Sequence, residues 1–479
     1  METALVDCCM YNPTEEEGPH LDKGLTQLMQ PLALRRQNTL ENDASRRPDK
    51  SNRHCHASMA SFSFSFSGDD IEDDGTTSTV PGPGVQAQDA TVTLTPAASA
   101  FPVQGKPQLL PQRHDLKEML SKLPSKIAYS LLDVALDSHV DADGTKGSSS
   151  TVPREAPFRI RLPRRELWDV KVQLMAEEDE EDGGSNTNGS GELAPGLGTH
   201  DVKTGIYEGG FKSWESSVDL VKVLLQQPPT TADSSSAPTP SDVASAVLLK
   251  DGPAHIIELG CGTALPSLAL FHWACATYGS DSKAQRNHPL SITVADYNPS
   301  VLYLVTLPNF VLAWALQQRH ASPLLQQALI IDEDGDDDNG ELELTDEVKD
   351  AFCTYVASAG ITLSFLSGGW SAEFVDLLYD TTAAEKPAPH TLVLGAETIY
   401  SPFALETFAV TLLSILRRDG GPASAPATAK AIIGAKKLYF GVGGSLDDFV
   451  KRMREAGATV NELREEADGV RRGVVQCVL

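Results

Sequence analysis

The sequence predicts an α/β fold built on an open parallel sheet whose strands deliver ligand-binding groups at their carboxyl ends. Three observations predict it. Ile256-Ile257-Glu258-Leu259-Gly260-Cys261-Gly262-Thr263-Ala264-Leu265-Pro266 is an apolar run that ends in an acid and opens into a glycine turn, as a buried strand does when it hands a loop to a helix start. Ser291-Ile292-Thr293-Val294-Ala295-Asp296-Tyr297-Asn298 is a second β-rich run that also ends in an acid. Two further runs end in Ser367-Gly368-Gly369-Trp370 and in Ala396-Glu397-Thr398-Ile399-Tyr400. Ligands of open α/β sheets sit beyond the carboxyl ends of the strands, so four such ends in sequence order point to one site.

The turn chemistry selects the ligand. A dinucleotide fingerprint wants G-x-G-x-x-G, but here the third position is Leu265, followed by Pro266. Glu258, just before the first glycine, opposes a pyrophosphate and suits the cationic methionine end of S-adenosylmethionine (SAM). Gly260 and Gly262 let backbone approach that ligand. Asp296 is placed to accept hydrogen bonds from both ribose hydroxyls, with Tyr297 and Asn298 beside it. Asn298 and Pro299 read as an N-cap and first helical residue. Gly368 and Gly369 leave room for an adenine near backbone, and Trp370 walls its ring. Ala396 and Glu397 end the fourth run where it faces the transferable methyl. Simpler explanations exist for single residues: Asp296 as a helix cap, Trp370 as core, Glu397 as a solvated strand end. The ordered set of four is what favours a site.

Along the chain, residues 1 to 110 are rich in Ser, Pro, Gly and Asp and read as disordered. Residues 111 to 175 form an accessory segment before the core. Leu116, Met119, Leu120 and Leu123 have helical spacing up to Pro124, and Ile127, Leu131 and Leu132 resume it. Phe158 to Leu162 alternates as a strand and leads into Arg164 to Val170. Residues 176 to 200 read as an acidic flexible linker, and 201 to 479 as the catalytic domain. That domain opens with a helix after Trp214, buried through Val218, Val221, Leu224 and Leu225. Polar excursions near 227 to 245, 278 to 288, 331 to 347 and 417 to 428 read as surface loops, which cost little to lengthen. Lys437 to Gly444 reads as a chain reversal with no catalytic role.

Composition narrows the function classes. With 66 acidic against 39 basic residues the net charge is −27, which argues against a direct grip on nucleic acid. The acid runs Glu177 to Asp182 and Asp332 to Asp338 read as solvated loops. Seven cysteines show no C-x-x-C pair, so neither a disulfide framework nor a structural zinc site is expected. His54-Cys55-His56 lacks a fourth ligand, and no metal is assigned. No run approaches the roughly 18 apolar residues of a membrane span, and Met-Glu-Thr-Ala does not open a signal peptide. The expectation is a monomer in cytoplasm and nucleus, nucleolus included, without a membrane contact.

These residues also carry a family resemblance. Thr204 to Glu215 (TGIYEGGFKSWE), ELGCG, ADYN, Val305 to Asn309 (VTLPN), SGGW, AETIY and Lys437 to Gly444 (KLYFGVGG) together resemble the eukaryotic histidine protein methyltransferases. These are Rossmann-like, seven-strand class I SAM-dependent methyltransferases. The likeness runs from about Leu116 to Leu479. Ser61 to Asp70 resembles the family's Phe-Ser-Phe start, and Met59 just before it is the expected functional beginning of the chain. The resemblance implies transfer of one methyl from SAM to a ring nitrogen of a histidine in a basic large-subunit ribosomal protein near the peptidyl transferase centre. An effect on ribosome biogenesis or translation would follow.

It also implies that Ser213, Trp214, Glu215, Ser216 and Ser217 close over the methionine end of the cofactor. A histidine nitrogen must be neutral to attack, and with an ordinary pKa near 6.5 most of it already is. The catalytic need is an acceptor for the opposite ring N–H; Glu397 fits it, with Tyr400 positioning the ring. Two alternatives remain open at this point. Glu397-Thr398-Ile399-Tyr400 is an acid-x-x-aromatic pattern shared with protein-lysine methyltransferases, and a noncatalytic ribosome-assembly factor would keep the same pocket for shape.

Overall fold

The computed structural model describes residues 71–72, 108–136, 158–181, 202–203, 209–227, 238–278, 288–331, 338–379, 390–420, 428–441 and 443–479. All belong to the unit Ser63–Leu479. Met59, the Phe-Ser repeat, His54-Cys55-His56, the linker from 182 to 200, Thr204 to Glu208 and the acids from 332 to 337 lie outside the described residues.

The accessory segment comes first: β1 (Gln112–His114), α1 (Leu116–Ser121), β2 (Lys126–Ala135), β3 (Arg159–Arg165) and α2 (Leu167–Glu181). Asp115 caps α1 by accepting the Glu118 N–H at 3.0 Å. Ile127, Leu131 and Leu132 do not resume a helix, contrary to the sequence expectation. They lie in β2, which pairs antiparallel with β3 from Tyr129↔Arg165 to Ala135↔Arg159. Short apolar runs are ambiguous in period, and the cross-strand partner decides. The expected acidic loop at Glu177 is also corrected, since α2 continues to Glu181.

The core follows with α3 (Glu215–Leu224), α4 (Asp242–Leu248), β4 (Ala254–Leu259), α5 (Leu265–Tyr278), β5 (Leu290–Asp296), α6 (Pro299–Gln318), α7 (Pro323–Ala328), β6 (Leu329–Ile331), β7 (Asn339–Glu343) and α8 (Asp346–Ser358). Then come β8 (Ile361–Ser367), α9 (Ala372–Tyr379), β9 (His390–Ala396), α10 (Pro402–Asp419), β10 (Ala429–Lys436), α11 (Leu446–Glu455), β11 (Thr459–Glu466) and β12 (Arg472–Val478).

The main sheet has the order β11-β12-β10-β9-β4-β5-β8-β1. Strands β8, β5, β4, β9 and β10 run parallel, and β12 is antiparallel between β10 and β11. Counted from β4, this is the 3-2-1-4-5-7-6 order of a class I methyltransferase. β1 adds an eighth, antiparallel strand on the β8 edge, which the seven-strand expectation does not include. A second sheet, β6-β7-β2-β3, absorbs residues 339 to 343, in a stretch that the sequence pattern marks as a loop.

Both faces of the main sheet are covered, which is why its strands read as continuous apolar runs. Ile256, Ile292, Leu392 and Ile432 pack into one core with α3, α5 and α6. Their neighbours Ile257, Val393 and Ile433 pack into another with α9, α10 and α11. Each fully buried Leu or Ile contributes about 1.5–3 kcal/mol. α6 is long and apolar enough to cross a bilayer by length and composition, yet 78% of its most apolar window is buried in the protein. It is a core helix.

Candidate active site

The strand ends stop at one level, with Leu259 beside Ala295 and Asp296 beside Ser367. The loops beyond them border one concave cavity, the kind of surface in which small molecules bind. Trp214, Ser217, Gly260, Gly262, Asp296, Tyr297, Gly368, Trp370, Ala396, Glu397 and Tyr400 line it. Gly210, Lys212, Cys261, Thr263, Thr398 and Tyr439 line it as well, although the sequence pattern assigns them no role.

The glycine loop has the conformation its glycines permit. Gly260 and Gly262 have φ of +65° and +49°, and a Cβ at Gly260 would stand 2.6 Å from the Thr398 Cγ2. Two motif residues clamp the carbonyls of this loop: the Thr306 hydroxyl donates to the Gly262 carbonyl at 2.6 Å, and the Asn309 amide to that of Thr263 at 3.0 Å. Both sit on α6, where Leu302–Thr306 forms a π-helical turn, a device common at functional sites. Pro308 has no N–H to offer the Leu304 carbonyl. The buried Arg165 guanidinium of β3 donates to that carbonyl instead, at 2.9 Å, and its backbone N–H donates to the Asn309 amide oxygen at 2.8 Å. The accessory segment thus holds the loop through α6.

Asp296 is oriented by backbone. Its carboxylate oxygens accept the Gly262 N–H and the Asn298 N–H, each at 3.0 Å. Trp370 stands edge-on to Phe408, with centroids 5.4 Å apart and planes at 64°. The Thr398 hydroxyl is buried beside the cavity and has no hydrogen-bond partner among the described residues.

Glu258 does not line the cavity. As the strand residue of the same parity as Ile256 it turns toward the α5 face, where its carboxylate accepts the Ser267 N–H at 2.9 Å. That N–H belongs to the first turn of α5 and lacks an intrahelical acceptor. Burial pushes the Glu258 carboxyl up to about 7, with the charge of Asp296 adding to the effect and the Ser267 hydrogen bond opposing it. The expected contact with a cationic methionine end is replaced by a helix cap.

Other named residues stand behind the cavity wall. The Ser213 hydroxyl meets that of Thr263 at 2.9 Å. Glu215 and Asp219 accept from the Arg472 guanidinium at 3.0 and 2.7 Å, tying α3 to β12. Asn298 occupies the N-cap position before Pro299, but its side chain accepts from no helix N–H and its amide donates to the Gly209 carbonyl at 3.1 Å. The Gly369 N–H donates to the Leu109 carbonyl at 2.9 Å.

Glu397 is the most constrained acid. It has φ +57°, and Ala264 in the glycine loop is the other non-glycine residue with positive φ among the described residues. Such a conformation costs about 1–2 kcal/mol and is held here by the Glu397 N–H donating to the Gly434 carbonyl at 3.0 Å. Ser216 donates its hydroxyl to one carboxylate oxygen and Tyr439 donates to the other. Burial holds the Glu397 carboxyl above its ordinary range, against the opposing pull of Lys436, the two hydroxyls and Arg472. Burial and the Glu397 charge push the Tyr439 phenol far up, so it stays a donor. The Lys436 ammonium lies 4.8 Å from the centre of the Trp214 ring and 5.7 Å from that of Tyr439. The signal that could have found Tyr439 is the carboxyl-end rule applied to β10, whose last residues lead directly into it.

Comparison with known proteins adds identity to geometry. Over 298 residues the chain is 36% identical to Histidine protein methyltransferase 1 of Saccharomyces cerevisiae, spanning 61% of this chain and 68% of that protein. The protein of the same name in Schizosaccharomyces pombe is 30% identical over 302 residues, 63% and 71% of the two chains. The chain belongs to the histidine protein methyltransferase 1 family. A homolog from Rattus norvegicus is 26% identical over 278 residues, 58% of each chain. No family model matches. A putative class I SAM-dependent methyltransferase from Listeria monocytogenes shares 11% identity over 65% of this chain and 68% of that one, at a TM-score of 0.25; strand order, not this likeness, carries the fold assignment. As a histidine protein methyltransferase 1 family member the chain is a methyltransferase. The unpartnered Thr398 hydroxyl, the glycine loop and the Asp296 carboxylate supply the polar groups a nucleoside ligand needs.

Proposed function

We propose that this enzyme methylates a histidine ring nitrogen of a basic large-subunit ribosomal protein, with Glu397 as the acceptor that sets the ring's tautomer. The observation that carries this reading is the pair of hydroxyls, Ser216 and Tyr439, aimed at the two Glu397 oxygens where Glu397 faces the cavity. Two such donors favour an oriented anion.

When bound, SAM supplies an electrophilic methyl carbon on a sulfonium. Asp296 is the group for its ribose hydroxyls, Trp370 and Gly368 for its adenine, Gly260 and Gly262 for close backbone approach, and Trp214 and Ser217 for the methionine end. Glu397 accepts the N–H of the imidazole nitrogen that is not methylated. The opposite nitrogen then keeps its lone pair and faces the donor. Glu397 is also the first sink for that proton once the ring has become cationic. Tyr400 orients the ring, and a substrate seated over the cavity displaces water that would compete for the nucleophile. The net charge of −27 suits a basic protein partner.

The test is to incubate the enzyme with isotopically labelled SAM and acid-extracted large-subunit ribosomal proteins, then hydrolyse to amino acids. Label in methylhistidine, absent with Gly260→Arg, is the expected result. Label in methyllysine, or none in a wild type that binds SAM, refutes it.

A further inference from the structure

Tyr439 sits between two side chains that point away from it. It is 3% exposed and lines the cavity, whereas Leu438 is 48% and Phe440 78% exposed. Phe403, 57% exposed, stands on the first turn of α10, three residues past Tyr400, which lines the same cavity. The two segments form one surface. The Gly444 N–H donates to the Tyr400 carbonyl at 3.0 Å, and a Cβ on Gly443 would touch the Pro402 ring at 3.8 Å.

We infer that Phe403, Leu438 and Phe440 are the docking rim for apolar residues flanking the target histidine in the protein substrate. This rests on the reading that the imidazole enters the Glu397 cavity. A histidine inside a polypeptide brings its neighbours with it, and a residue three positions away lies within about 10 Å along the chain. Those neighbours meet the rim. The charges beside it are engaged with one another: the Lys437 ammonium is 3.1 Å from Glu462 and 4.0 Å from Asp447, and Arg452 is 2.8 Å from Glu406. Hydrocarbon is therefore the component of the rim that gains from being covered, and exposed apolar surface continuous with a cavity marks a contact site. The rim selects a histidine in an apolar local context, even where the substrate as a whole is basic.

The experiment uses the full chain with labelled SAM and acid-extracted large-subunit ribosomal proteins. Phe403→Ser, Leu438→Ser and Phe440→Ser are combined. The expected result is a rise of about tenfold in the half-saturating protein concentration, with unchanged SAM affinity and maximal methylhistidine rate. If the triple variant loses SAM binding, Phe440→Ser alone, the most exposed of the three, should still raise half-saturation about threefold. Mass spectrometry of the product should find apolar residues within three positions of the methylated histidine. An unchanged half-saturation, or a histidine flanked on both sides by charged residues, overturns the rim. A wild type yielding no methylhistidine refutes the ribosomal substrate itself, and the rim with it.

Discussion

Replacing Tyr439 by Phe removes one hydroxyl and leaves the ring. In the wild type that hydroxyl donates to one Glu397 oxygen while Ser216 donates to the other, and Lys436 and Arg472 supply the nearby positive charge. A hydrogen bond to a charged group is worth about 1.5–3 kcal/mol, which at 1.36 kcal/mol per unit corresponds to about 1–2 pH units. The sign follows from which form is stabilised. Burial already holds the Glu397 carboxyl high, and the hydroxyl favours the anion, so losing it moves the carboxyl higher still. An enzyme that needs the Glu397 anion loses activity as pH falls through that value. The acid limb of kcat should therefore move up by about 1–2 units in Tyr439→Phe, with a fall of about tenfold at neutral pH. The assay is methylhistidine formation from pH 5.5 to 9, with SAM affinity measured in parallel. Glu397→Gln should lack that limb, and adding Tyr439→Phe to it should cost little more. An acid limb that stays in place, with wild-type kcat, would refute the assignment of Glu397 as the working anion.

Two further outcomes concern stability. Glu258 titrates near its ordinary 4.5 when unfolded and at about 7 when buried, so its contribution is full below 4.5 and is lost as pH rises toward 7; Glu258→Gln should flatten this fall of about 3 kcal/mol in denaturant melts, and equal slopes would refute the burial account. Phe408 is fully buried between Trp370 and Phe449, with ring centroids 5.4 and 5.9 Å away. Phe408→Ala should cost about 3–5 kcal/mol and weaken SAM binding by loosening the Trp370 wall; calorimetry finding wild-type stability and affinity would contradict that packing role.

Much of the site is legible in the amino-acid sequence because strand ends carry local signatures. An apolar run, an acid or glycine, and a helix start are all short-range features, and Asp296, Gly260, Gly262, Trp370 and Glu397 each stand out against their immediate neighbours in the chain. What is not legible depends on long-range pairing. β2 has apolar residues in an ambiguous period, and only β3 and β7, each more than 20 positions away in sequence, make it a strand. β1 is three residues long and is a strand because it pairs with β8.

The sequence by itself therefore determined the class of fold and which strand ends border the cavity, since both are written in local spacing. Only the tertiary structure decided which polar groups face the cavity and which support it. Glu258 and Glu397 both close apolar strands, yet one caps α5 and the other meets Ser216 and Tyr439. Strand parity sends the first toward a helix, whereas positive φ beyond the last pleat turns the second into the cavity. Tyr439 and Arg165 act on partners 42 and 139 positions distant. Contacts across such separations leave no period or spacing to read in the chain.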